Sequence, residues 1–90
     1  MITMLATLVI FACGNAMARD CHVADPTETP LNIRMQPNGK FVASVRNGEL
    51  ILVFDGEEKK DSQGRTWYFV AMRTSAGPDG YALAAYIRCP

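Results

Sequence analysis

Lys40-Phe41-Val42-Ala43-Ser44-Val45-Arg46-Asn47-Gly48-Glu49-Leu50-Ile51-Leu52-Val53-Phe54 is the stretch whose reading decides the fold. Its two apolar runs are rich in β-branched and aromatic side chains, which suit a pleated, half-buried surface. Asn47-Gly48 lies between them, and Asn-Gly is a strong hairpin signal because both residues accept positive φ. The segment predicts strands at 40–45 and 50–54 joined by a tight turn. Leu50 to Phe54 is apolar without a break, which predicts a strand buried on both faces.

The pattern continues outward. On the N-terminal side Leu31-Asn32-Ile33-Arg34-Met35 alternates apolar and polar, as a half-buried strand does. Gln36-Pro37-Asn38-Gly39 reads as a turn, with Gly39 free to take positive φ. Asp25 to Pro30 reads as a loop leading into the first strand. On the C-terminal side Asp55 to Arg65 reads as a solvated, charge-rich loop, including the run Glu57-Glu58-Lys59-Lys60-Asp61. Trp67 to Met72 is a fourth strand, and Ser75 to Gly80 another turn. Tyr81 to Ile87 starts as a strand and passes into a short helical turn at Leu83–Tyr86. Helix signals are otherwise nearly absent. Five short strands with a turn every 8–12 residues predict an all-β fold, a small closed or half-open barrel.

The chain has 90 residues, nine basic and nine acidic side chains, and three cysteines. That length bounds it to one domain. Zero formal net charge argues against a nucleic-acid partner, which would need a basic surplus to neutralise phosphates. All charges lie at Arg19 or later, and fourteen of the first eighteen residues are apolar. Met4 to Cys13 is a ten-residue apolar run, short for a bilayer span. Gly14-Asn15 breaks it, and Ala16-Met17-Ala18 has the small-x-small form of a signal-peptidase site. The expected organisation is a cleaved signal peptide over 1–18 and an exported domain over 19–90. Localisation is then periplasmic or secreted, with no membrane span after cleavage. Two other readings of the leader stay open. One is a lipoprotein signal at Cys13, and the other an uncleaved anchor or core segment.

Cleavage would remove Cys13 and leave Cys21 and Cys89, one near each end of the exported chain. Such a pair in a small exported domain reads as a disulfide. Closing so long a loop would contribute roughly 4 kcal/mol in the chain-entropy model. Free or intermolecular thiols are the alternative. A metal site lacks ligands, because His22 is the one histidine. No cofactor is expected.

In this order and spacing, the residues resemble the bacterial Src-homology-3-like domain family, a β-barrel module of cell-envelope proteins. The family opens with Leu-Asn-Val-Arg-x-x-Pro, and Leu31-Asn32-Ile33-Arg34-Met35-Gln36-Pro37 stands here. Its x-x-Gly before an apolar strand is matched by Arg46-Asn47-Gly48 ahead of Leu50–Val53. Its Gly-x-x-Trp-Tyr-x-Val strand is matched by Gly64-Arg65-Thr66-Trp67-Tyr68-Phe69-Val70. Its closing Gly-aromatic and small-small-Tyr-Leu are matched by Gly80-Tyr81 and Ala84-Ala85-Tyr86-Ile87. The resemblance covers about residues 31–89. It implies a five-stranded barrel, and the Cys21–Cys89 pair resembles that of short stand-alone exported members.

The resemblance also places Trp67 on the groove side of its strand. Alternation then puts Phe69 beside Trp67, and Tyr68 with Val70 on the other face. Trp67, Tyr81 and Tyr86 could form an aromatic platform for a peptide or a sugar. Each also has a plain packing role as the competing reading. Arg34 could fork onto a ligand carboxylate or hydrogen-bond to loop carbonyls. Met35 and Met72 read as packing residues, and His22 as an exposed one. Eukaryotic relatives bind polyproline helices through a Gly-Tyr-x-Pro-Ser-x-Tyr pattern. Leu83 stands at its proline, which argues against that ligand.

These observations favour a non-catalytic binding module, expected to be a monomer, with a peptide or protein partner. Peptidoglycan peptides and envelope proteins are the candidates. The alternative is a small secreted inhibitor or regulatory partner of another protein, including a host factor. An enzyme is disfavoured, because one terminal histidine cannot build a Ser-His-Asp set.

Overall fold

The computed structural model describes residues 18–75 and 77–90, so the expected leader, apart from Ala18, lies outside the described residues. The described chain forms seven strands: β1 (Ala18–Val23), β2 (Leu31–Arg34), β3 (Phe41–Val45), β4 (Leu50–Lys60), β5 (Thr66–Met72), β6 (Gly80–Leu83) and β7 (Ile87–Arg88). A single 3-10 turn, Ala84–Tyr86, separates β6 from β7. The strands make one antiparallel sheet in the order β3-β2-β6-β5-β4-β1-β7. All five expected strands are present.

Two expectations about the architecture are corrected. There are seven strands rather than five, and the sheet is not closed: β3 and β7 are its two edges. β1 escaped notice because adjacent Arg19 and Asp20 break the alternation of Ala-Arg-Asp-Cys-His-Val, which holds one β-branched residue, Val23. It is held from outside, by pairing with β4 and β7 and by the Cys21–Cys89 disulfide. β7 has two residues, below the length at which a pattern can register.

Asn47-Gly48 does turn, with Gly48 at φ 87 and the Glu49 N–H donating to the Arg46 carbonyl at 3.1 Å. Yet the strands it joins do not pair with each other. The end of β1 takes the place instead. Gly48 N–H donates to the Val23 carbonyl at 2.8 Å, and Val23 N–H to the Glu49 carbonyl at 3.0 Å. The Asn47 side chain fixes the divergence, accepting from Asp25 N–H at 2.7 Å and donating to the Asp25 carbonyl at 3.1 Å. The next turn back, 36–39, closes the β2–β3 hairpin, but the positive φ falls on Asn38 (61°), not Gly39.

The core lies on one face of the sheet. Ile33, Ile51, Val53 and Val70 are fully buried there, with Cys21 and Ala82. Tyr68 and Met72 pack against it from the same side of β5. β4 alternates between buried Ile51 and Val53 and half-buried Leu50, Leu52 and Phe54. It is therefore fully buried on one face only; the other face is half-buried, where Phe54 meets Phe69 with ring centroids 5.8 Å apart. β4 also runs on through Lys60 where a loop is expected. A shift of register between Phe54 and Lys59, with Gly56 at φ 87, absorbs the extra residues.

Candidate functional site

β5 sets the geometry of the site. Strand alternation sends Tyr68 and Val70 into the core and Trp67 and Phe69 to the opposite face. Antiparallel register then places Leu83 across from Trp67, and Tyr81 across from Phe69. Trp67 is nonetheless buried, at 3% exposure, because the β4–β5 turn folds over it.

That turn is organised by Asp61. One carboxylate oxygen accepts from the backbone N–H groups of Gln63 (2.9 Å) and Arg65 (3.0 Å). The other accepts from the Trp67 indole (3.0 Å), Arg65 Nε (2.8 Å) and Asn38 Nδ2 (3.1 Å). Only 2% of the side chain remains exposed. The donors, the Trp67 indole first, hold its carboxyl far below the usual carboxylate range, outweighing the opposing effect of burial. Asp61 is therefore the exception to the reading of 57–61 as a solvated charge run; Glu57 to Lys60 are exposed as expected. Arg65 in turn donates to Asn38 Oδ1 at 3.0 Å and sits 6.0 Å from the centre of the Trp67 ring. The β2–β3 and β4–β5 turns are thus tied into one unit.

A groove of about 290 Å³ opens beside this unit. Trp67, Leu83 and Tyr86 supply its apolar surface, and Asn32, Arg34 and Arg65 its polar rim. Arg34 donates one guanidinium N–H to the Gly39 carbonyl at 3.0 Å, which is the structural role weighed for it. Arg34 also lines the groove, so the two readings of it coexist. Three of the four expected ligand-binding residues, Trp67, Tyr86 and Arg34, share this groove. Tyr81 does not. It is buried against Phe69, with ring centroids 5.0 Å apart, and Lys59 Nζ lies 5.1 Å from its ring centre. A platform of three aromatic rings in one groove is therefore not what forms. Met35, expected to pack, is 58% exposed, while Met72 does pack on the core.

Asn38, Asp61, Arg65 and Leu83 complete the site, and sequence reasoning named none of them as a ligand-binding residue. Asp61 had a signal available. An Asp followed three residues later by Gly64 is a turn signature, and the Gly64 N–H does bond the Asp61 carbonyl at 3.0 Å. Chemically, the groove offers hydrogen-bond donors and apolar walls. Among the described residues, no three His, Cys, Asp or Glu side chains group as a metal site, and no helix is long and apolar enough to cross a membrane. Comparison with protein-family models, curated proteins and solved structures finds no match to this chain.

Proposed function

We propose that the chain is a non-catalytic, exported binding module of the bacterial Src-homology-3-like type, and that its groove recognises a cell-wall peptide or an envelope protein. The supporting observation is the groove itself, where Leu83, Tyr86 and Arg34 line an opening beside a pair of turns that the buried Trp67 indole helps to tie. Rigid positioning matters because binding loses affinity for every side chain that must be ordered on contact. Arg34 keeps donors beyond the one bonded to Gly39, and these suit a peptide carboxylate or carbonyl.

Co-sedimentation with purified peptidoglycan tests the wall-binding half, and cross-linking in envelope extracts the protein-binding half. Asn32→Trp is the informative variant, since Asn32 is exposed and a bulky ring there fills the groove without touching the core. Wild type should pellet with the wall or cross-link to one envelope protein, and Asn32→Trp should do neither while keeping its thermal midpoint. Wild type that stays soluble and cross-links to nothing overturns the proposal. So does an Asn32→Trp variant that binds as wild type does.

A further inference from the structure

The two edges of the open sheet are protected unequally. β7 is two residues long, and a short edge offers little to pair with. β3 has five residues, contains no proline, and is paired on one side only, with β2, in a ladder whose register shifts so that Val42 has no partner there. Its outward backbone groups are a template for a further strand. The large apolar side chains that stand exposed are also gathered here: Met35 at 58%, Phe41 at 53% and Val42 at 40%. Among the described residues, every other large apolar side chain is buried or half-buried.

Charge adds a second and independent observation. The chain is neutral overall, with nine cations and nine carboxylates. Between Leu31 and Arg46, however, lie Arg34, Lys40 and Arg46 and no acidic residue. Lys40 and Arg46 bracket β3, one just before it and one just after. Two acidic residues adjoin this segment: Glu49, whose backbone N–H donates to the Arg46 carbonyl, and Asp61, which is bonded to Asn38 and already saturated by Trp67 and Arg65.

We propose that β3 is a docking edge for an extended segment of another protein, apolar at its centre and acidic at its flanks, which joins the sheet as an added strand. Backbone pairing would supply affinity, and Phe41 and Val42 the apolar contact. Lys40 and Arg46 select the partner by charge. A second copy of this chain fits poorly: antiparallel self-pairing centred on Ala43 sets Lys40 of one copy opposite Arg46 of the other, at both ends, and like charges facing across strands are destabilising. This surface is separate from the groove and stands if the groove binds nothing.

The test is titration of the oxidised, isotope-labelled protein with a capped heptapeptide of alternating valine and threonine carrying glutamate at both ends. A lysine-ended version is the control. Amide shifts should centre on Phe41–Val45, and the lysine-ended peptide should bind at least about tenfold more weakly. The double variant Lys40→Glu, Arg46→Glu should reverse that preference, and Val42→Lys should weaken both peptides. Equal binding of the two peptides overturns the proposal, as does the absence of shifts in β3. Shifts centred on Trp67 and Tyr86 overturn it in favour of the groove. A wild-type dimer in sedimentation that Val42→Lys dissociates overturns it in favour of a second copy.

Discussion

Asp61 accepts hydrogen bonds from two turns and an indole, and its ionised form is what the fold requires. Its folded-state pKa is lowered, against an unfolded value near 3.9. The stabilisation is therefore complete above about pH 4 and is lost as pH falls towards the folded pKa. Urea midpoints measured from pH 6 to pH 2 should fall steeply below pH 4 in wild type. Asp61→Asn should be less stable at pH 6 and should show a flatter acid limb; parallel curves would refute the assignment. Trp67→Phe keeps an aromatic ring but removes the indole donor and some buried volume, and should cost about 2–3 kcal/mol at neutral pH. It should also move the acid limb upward in pH. At this scale the sequence was half legible. Trp67 stood out as the lone tryptophan of a strand. Asp61 was concealed at the end of a charge run, because a carboxylate's partners from other turns leave no mark on its own neighbours.

Gly80 decides how β2 and β6 meet. A Cβ there would press on the Arg34 carbonyl oxygen, and Ile33 Cγ2 would lie 3.1 Å away. Arg34 pairs with Tyr81 at the one register position the two strands share, so nothing nearby can yield without losing that contact. Gly80→Ala should cost about 2–3 kcal/mol, read by chemical denaturation. Asn47→Ala should cost about 1–2 kcal/mol by leaving the Asp25 amide and carbonyl unpartnered. The β2, β3, β5 and β6 strands were legible because alternation and turn residues act within a few positions. Pairing was not. Asn47-Gly48 has the composition of a hairpin, yet β1, nearly thirty residues upstream of it in origin as a polar stretch, occupies the flank of β4 that the hairpin would have used.

For the whole molecule, the disulfide joins residues 68 apart in sequence, with Cα atoms 4.3 Å apart. Cys21 is buried in the core and Cys89 packs against it. Reduction, or Cys21→Ser with Cys89→Ser, should cost roughly 4 kcal/mol in the chain-entropy model, measured as a loss in urea stability. A reductant without effect would show that the packed ends alone hold β1 in place. The pairing was readable from Cys21 and Cys89, which flank all the expected strands, whereas the open sheet was not, since closure depends on distant edges meeting. The proximity of those ends has a mechanical meaning. Tension applied on either side of the cysteine pair peels Ala18–Asp20 from β4 and then passes through the sulfur–sulfur bond, so the chain between Cys21 and Cys89 is off the line of force. Held between two handles in an optical trap, the oxidised domain should show no lengthening beyond the release of Ala18–Asp20, while the reduced one should lengthen by about 22 nm at full extension. A domain tethered on both sides of such a bond would keep the sheet between its cysteines folded under load.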